Sequence, residues 1–239
     1  MKLALARVLT SSPVGTAIGL AFRDRIPFRG ERIDTSFASV TPEVKAMLFW
    51  RLYETGEVQF IHRYLGSSLD VVELGGSIGA VSRHILRTLG TGPDAPRLVI
   101  VEANPDLLEV LTKNVGGRAN ILHRAVAYGA PSVSFNISAS SLGGSVGADS
   151  GRLVTVPTTT LSEIRATASL GDYALVCDIE GAEHAMFANE TAELQRCRRL
   201  VIELHDFEGA SAESLAKSIE STHGFRRLAS RGPVYAFTR

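Results

Sequence analysis

Along most of the chain, segments with a strand-like apolar pattern alternate with segments whose apolar residues have helical spacing. Segments rich in apolar residues predict strands at 69–74, 97–102, 119–126, 172–178 and 198–205. Apolar residues at helical spacing predict helices at 78–90, 105–115, 182–195 and 210–223. Two further apolar segments around Gly232-Pro233 predict a closing hairpin. The sequence therefore predicts an α/β fold with a doubly wound, mostly parallel seven-stranded sheet.

The chain begins with a segment that precedes this pattern. We assign residues 1–40 to an N-terminal helical arm, with a short hairpin that turns at Gly30, and residues 41–239 to the main domain. Residues 8–22 are fairly apolar, but proline and glycine interrupt them, and they are too short and broken for a transmembrane helix. A signal peptide is not expected either, because Arg7 breaks the early apolar run and Arg23-Asp24-Arg25 provides no clean cleavage site. The arm either covers the active site or a partner in a homodimer, or makes a weak contact with a membrane surface.

A small β-hairpin insertion is expected at about 132–157. Strands are predicted at 132–137 and 152–157, and nine of the fourteen residues between them are Ser or Gly. That composition indicates a flexible loop. Residues 138–151 are therefore either an inert hairpin tip or a lid over the bound ligands.

Glycines follow the first strand of the main domain, and an acid ends the next strand. The motif is Glu73-Leu74-Gly75-Gly76-Ser77-Ile78-Gly79, and the acid is Glu102. In doubly wound folds an acid at that position binds the two ribose hydroxyls of an adenosine. Leu74 occupies the place of the first glycine of the dinucleotide fingerprint G-x-G-x-x-G. The motif instead resembles motif I of S-adenosylmethionine (SAM)-dependent methyltransferases.

A second group of chemically active residues follows two later strands. Asp178 and Glu180 come after the apolar run that ends at Cys177, and Glu203 and His205 lie two residues apart at the end of the next strand. Ligands bind at the carboxyl ends of strands in open α/β sheets. Because histidine titrates near neutral pH, we expect His205 to act as a general base in this cleft.

Taken together, these motifs resemble the FkbM family of SAM-dependent methyltransferases. The resemblance runs from about Gly56-Glu57 to Asp206, and its most diagnostic block is Asp178-Ile179-Glu180-Gly181-Ala182-Glu183. It implies a class I methyltransferase with a Rossmann-like fold, which transfers a methyl group to a hydroxyl, often of a sugar on a glycolipid, polysaccharide or natural product. Motif I departs from the family pattern at Glu73, Gly76 and Ser77, and Cys177 stands where a lysine is common.

The resemblance and the motifs together give a set of site residues. Those expected to bind SAM are Glu73, Gly75, Gly76, Ser77, Gly79, Glu102, Ala125, Val126 and Asp178. For catalysis we expect His205 as the base, with Asp178, Glu180 or Glu203 orienting it or the acceptor. The density of acids also suggests an Mg²⁺ site at Asp178, Glu203 and Asp206, since Mg²⁺ prefers oxygen ligands.

The charge balance and the cysteine content limit the kinds of molecule that this protein is expected to bind. Lys and Arg total 25, as do Asp and Glu, so the net charge is zero and broad binding to nucleic acid is not expected. The two cysteines, Cys177 and Cys197, lack metal-binding spacing and fit a reducing cytoplasm. A small-molecule or glycoconjugate acceptor is the expected partner. The alternatives are an Mg²⁺-dependent catechol-type O-methyltransferase, an NAD-dependent oxidoreductase and a noncatalytic nucleotide-binding fold.

Overall fold

A computed structural model describes residues 2–137, 144–146, 152–207 and 209–239. Its α-helices are α1 (Lys2–Leu9), α2 (Ser12–Phe22), α3 (Pro42–Phe49), α4 (Thr55–Phe60), α5 (Ala80–Leu89), α6 (Leu108–Val115), α7 (Leu161–Ala168), α8 (Glu183–Asn189), α9 (Thr191–Leu194) and α10 (Ala212–Ser221). A π-helical turn, Ile61–Leu65, continues α4, and a 3₁₀ turn, Pro105–Leu107, precedes α6. The strands are β1 (Arg25–Phe28), β2 (Glu31–Asp34), β3 (Asp70–Leu74), β4 (Leu98–Glu102), β5 (Asn120–His123), β6 (Ala125–Val126), β7 (Ser132–Ile137), β8 (Gly144–Val146), β9 (Arg152–Thr159), β10 (Tyr173–Cys177), β11 (Cys197–Glu203), β12 (Arg226–Arg231) and β13 (Val234–Thr238).

The central sheet has the order β12-β13-β11-β10-β3-β4-β5 among the described residues. Neighbouring strands from β11 to β5 are parallel, and β13 is antiparallel to both β11 and β12. The first strand of the domain, β3, therefore lies in the middle, and the sheet grows outward from it in both directions. The predicted seven-stranded, mostly parallel sheet with a closing hairpin is confirmed, and its strand order is that of a class I methyltransferase.

The core lies on both faces of this sheet. Successive residues of β3 point to opposite faces, so Val71 belongs to one hydrophobic cluster and Val72 to the other. Burial on both faces explains why β4 and β10 have continuous rather than alternating apolar residues, and why every position of β3 after Asp70 is buried, Glu73 included. The carboxyl ends of these strands are consequently held in fixed positions.

The N-terminal arm packs closely against the main domain. Its hairpin pairs β1 with β2 around Gly30, as predicted, and buries Ile26 opposite Ile33. These residues form a third hydrophobic cluster with Ile78 and Leu107 of the main domain. In the described part of the chain, no helix is long and apolar enough to cross a membrane.

Two predicted elements are divided in the structure. The strand predicted at 119–126 is interrupted at Arg124, whose backbone N–H donates to the carbonyl of Glu102. After this residue the chain leaves the central sheet, and β6 pairs with β9 in a second sheet of order β6-β9-β7-β8. The helix predicted at 182–195 is divided at Glu190, between α8 and α9.

The predicted hairpin insertion is present. Residues Ser132 to Ile137 of β7 pair antiparallel with β9. The loop at 138–151 was predicted to be either an inert hairpin tip or a lid. Within it, residues 144–146 form β8 and pair with β7. Residues 138–143 and 147–151 lie outside the described residues, so the lid stays a prediction.

Candidate active site

A cavity of about 380 Å³ opens at the carboxyl ends of β3, β4 and β10. Its lining comes from the glycine loop after β3, the turns after β4 and β10, the start of β6, and the segment from Thr41 to Glu57. This volume lies within the range of small-molecule sites, roughly 300–1,000 Å³. The position agrees with the rule that ligands of open α/β sheets bind at strand carboxyl ends.

The glycine loop lies in close contact with the neighbouring strand end. Gly75 has φ +88°, and a Cβ atom added there would lie 1.9 Å from the carbonyl oxygen of Asp178. A Cβ at Gly76 would lie 2.4 Å from Cγ2 of Ile100. Both glycines line the cavity, whereas Gly79 precedes α5 in a left-handed conformation and is not among the lining residues described. Close backbone packing therefore requires glycine at Gly75 and Gly76.

Glu102 forms the floor of the loop. Its Oε2 accepts the N–H of Ser77 at 2.7 Å, and its Oε1 accepts the N–H of Asn104 at 2.6 Å. The side chain is buried, which raises its pKa, while these backbone N–H groups act in the opposite direction. Each carboxylate oxygen keeps a second lone pair for a ligand hydroxyl. Ala125 and Val126 provide apolar surface in the same cavity.

Glu73 is an unpaired acid in the cavity wall. It is 1% exposed, no basic side chain pairs with it among the described residues, and the Ser82 hydroxyl beside it offsets only part of the effect of burial. Burial raises its pKa to about 8. A buried carboxylate without a partner is unfavourable unless a ligand group satisfies it. The site therefore fits a ligand that brings a hydrogen-bond donor or a positive charge to Glu73.

Tyr53 was missed by sequence reasoning. It is 7% exposed, lines the cavity, and places its hydroxyl 3.1 Å from Oγ of Ser77. Thr41, Val44 and Met47 line the same side. The segment that follows the arm thus covers the glycine loop.

The acidic block after β10 forms a tight turn. Glu180 has φ +54° and Gly181 has φ +103°. Glu183 is fully buried and accepts the N–H of Ile179 at 3.0 Å through Oε1 and the N–H of Gly181 at 2.8 Å through Oε2. Glu183 therefore holds the turn that presents Asp178 and Glu180.

His205 lies at the centre of the predicted catalytic group. Its Nδ1 is 3.2 Å from Oε1 of Glu183, and its Nε2 is 3.5 Å from Glu180, 3.7 Å from Glu203 and 3.8 Å from Asp178. The hydrogen bond to Glu183 and the surrounding carboxylates raise the pKa of His205 to about 9. Asp178 and Glu180 line the cavity, so this group borders it.

Two acids near Glu203, Glu54 and Glu57, were not predicted as site residues from the sequence. One oxygen each from Glu54, Glu57 and Glu203 lies within 4.8 Å of the others. A second such group is Asp178, Glu183 and His205. Asp206, predicted as an Mg²⁺ ligand, is in neither group among the described residues, and its carboxylate accepts the N–H of Ala212 at 2.7 Å before α10.

Comparison with known proteins identifies a family. The model of the methyltransferase FkbM domain matches residues 87–229, which is more than half of the chain. Comparison with curated protein sequences finds no match.

Comparison with solved structures finds several chains with low sequence identity to this one. A methyltransferase from Geobacter sulfurreducens is 14% identical with a TM-score of 0.45, over 96% of this chain and 89% of that chain. The precorrin-6y C5,15-methyltransferase from Geobacter metallireducens is 14% identical with a TM-score of 0.44, over 77% and 86%. M. capricolum TrmK, in complex with S-adenosyl-homocysteine, is 8% identical with a TM-score of 0.42, over 76% and 65%. The chain spans only 64% or 65% of the length of several such structures. Because these TM-scores are below 0.5, we base the fold assignment on the strand order itself.

Proposed function

Since the chain belongs to the FkbM family of methyltransferases, whose methyl donor is SAM, we propose that it methylates a hydroxyl oxygen of a sugar. The sugar would be part of a glycolipid, a polysaccharide or a natural product. The observation that carries the proposal is the position of His205, which is fixed by Glu183 and borders the cavity.

Several cavity residues have the chemistry to hold the donor. SAM supplies a methyl group that its sulfonium has already activated. We assign the ribose hydroxyls to Glu102, whose two oxygens each keep a free lone pair. We assign the adenine to the apolar surface of Ala125 and Val126, and the positively charged methionine part to the unpaired carboxylate of Glu73.

His205 would remove the proton of the acceptor hydroxyl. Glu183 accepts from Nδ1, so the neutral imidazole has its free lone pair on Nε2, on the side of Asp178 and Glu180. The raised pKa of His205 makes Nε2 a stronger base than a free imidazole, although less of it is unprotonated at neutral pH. After proton transfer, the surrounding carboxylates would stabilise the imidazolium.

The charge of the cavity argues against a nucleic acid acceptor. Arg124 is the one lysine or arginine among the described lining residues, whereas Glu54, Glu57, Asp178 and Glu180 all line it. Proteins that bind nucleic acid neutralise its phosphates with basic side chains. An uncharged or cationic acceptor fits this surface better.

The test separates donor binding from transfer. Calorimetric titration with SAM, and with NAD as control, measures the donor. Radiolabelled SAM with a panel of glycosides, aminosugars and phenols then identifies the acceptor class. We expect His205→Gln to bind SAM normally and to lose at least a hundredfold in transfer, whereas His62→Gln, an exposed histidine outside the cavity lining, keeps both.

Other outcomes have distinct meanings. Unchanged transfer by His205→Gln would exclude His205 as the base. Transfer confined to catechols would favour the catechol-type alternative, and binding of NAD without SAM would contradict the proposal.

A further inference from the structure

Three glutamates from two distant parts of the chain meet beside the cavity. Glu54 immediately precedes α4, Glu57 lies in its first turn, and Glu203 is the last residue of β11. One carboxylate oxygen from each lies within 4.8 Å of the other two. Glu54 and Glu57 also line the cavity. The tertiary fold thus concentrates three acids at one point.

Glu57 is the member of this cluster that calls for a ligand. It is only 4% exposed, its Oε1 has no hydrogen-bond donor among the described residues, and its carboxyl lies against that of Glu203. A buried acceptor without a partner costs about 1–3 kcal/mol, and more when it carries charge. Solvation, which explains most acidic clusters, is not available to this side chain.

Basic side chains do not neutralise the cluster. Among the described residues, no lysine or arginine forms an ion pair with Glu54, Glu57 or Glu203. His205 is 3.7 Å from Glu203, but the same imidazole faces three further carboxylates. Without basic partners, the charge of the cluster is met either by a proton shared between Glu57 and Glu203 or by a bound cation that displaces it.

We propose that Glu54, Glu57 and Glu203 bind one hard divalent cation of the Mg²⁺ or Mn²⁺ class. All three donors are carboxylate oxygens, which such ions prefer. An octahedral ion with oxygen ligands at about 2.1 Å needs oxygens roughly 3.0–4.2 Å apart, so a limit of 4.8 Å requires only small side-chain movements.

The neighbouring group of Asp178, Glu183 and His205 is a weaker candidate. Both oxygens of Glu183 already accept backbone N–H groups, and Oε1 also faces Nδ1 of His205. Binding a metal there would break the contacts that hold the turn after β10. The cluster at Glu57 has an unused oxygen instead.

The ion site stands on its own geometry, whereas its role rests on the proposed function. Glu54 and Glu57 line the same cavity as Asp178 and Glu180. An ion held there would lie beside the acceptor, where it lowers the pKa of a bound hydroxyl and fixes its orientation.

The experiment measures metal binding without any methyl acceptor. Mn²⁺ is titrated into the chelator-treated full chain, and the free ion is followed by electron paramagnetic resonance. We expect one saturable Mn²⁺ per chain, displaced by Mg²⁺. Glu57→Gln should weaken binding at least tenfold, whereas Glu109→Gln, an exposed acid on α6, should leave it unchanged.

Two controls keep the result interpretable. Thermal unfolding checks that Glu57→Gln is folded, and Glu54→Gln, at a less buried ligand, should weaken binding as well. The proposal is wrong if no saturable Mn²⁺ binds, or if His205→Gln abolishes binding and Glu57→Gln does not. Failure of methyl transfer with Mn²⁺ binding intact would count against the proposed function and not against the ion site.

Discussion

The burial of Glu73 leads to a specific prediction about stability and pH. Among the described residues, no lysine or arginine forms an ion pair with this buried acid. Its side chain is 1% exposed, and the Ser82 hydroxyl beside it offsets only part of the effect of burial. Burial raises its pKa from an ordinary value of 4.5 to about 8. Replacing it with Gln mimics the protonated acid in size and removes the ability to ionise.

The sign of the effect follows from proton binding. Between pH 4.5 and 8 the unfolded chain releases the proton of Glu73, whereas the folded chain keeps it. The free energy of unfolding of the wild type therefore falls as pH rises, by about 1.4 kcal/mol per pH unit from this group. Relative to its value well below pH 4.5, the free energy of unfolding is lower by about 3 kcal/mol at pH 7 and by about 1 kcal/mol or less at pH 5.

Urea unfolding at pH 5 and pH 7 measures this difference. We expect Glu73→Gln to be more stable than the wild type by about 3 kcal/mol at pH 7 and to differ little at pH 5. Glu109→Gln, an exposed control, should follow the wild type at both values. A difference that does not change with pH, or a variant less stable than the wild type at pH 7, would refute the reasoning.

Two further substitutions test the glycine loop. Gly75→Ala should destabilise the protein by about 3 kcal/mol or more in urea unfolding, because the added Cβ meets the carbonyl of Asp178 and φ is +88°; full stability would show that the loop can move away. Tyr53→Phe should cost about 1 kcal/mol of stability and weaken SAM binding a few-fold in calorimetry, because Ser77 loses its hydroxyl partner; unchanged binding would mean that Tyr53 does not hold the loop for the cofactor.

The central sheet was predictable because its signals are local. The inner parallel strands are buried on both faces, so apolar residues follow one another directly in the sequence, as Val71 and Val72 do. The acids that end such runs, Glu102 and Asp178, then mark the edge of the sheet where the cavity opens. Pattern alone could therefore place the site at this edge.

The division of the third strand was not predictable from the same signal. Residues 119–126 mix apolar and polar side chains through both β5 and β6, although these strands belong to different sheets. The backbone N–H of Arg124 donates to the carbonyl of Glu102 between the two strands, and the side-chain pattern does not show which sheet each half joins.

Tyr53, Glu54 and Glu57 were missed for a related reason. They precede the first strand of the main domain, and their partners, Ser77 and Glu203, are far away in the sequence. A tyrosine and two glutamates before a short helix resemble any solvated surface. Only the packing of α4 beside β11 turns them into cavity residues.

In the acidic block after β10, neighbouring acids have different roles in the structure: two face the cavity and one stabilises the turn. Asp178 and Glu180 line the cavity, whereas Glu183 is fully buried and bonded to two backbone N–H groups. The first two are available to ligands, and the third fixes the turn and His205. A sequence pattern counts three equal charges, but the burial of each carboxylate decides whether it supports the fold or the chemistry. We therefore expect Glu183 to act as a positioning residue: Glu183→Gln should lower methyl transfer while calorimetry still detects SAM binding, and unchanged transfer would contradict this role.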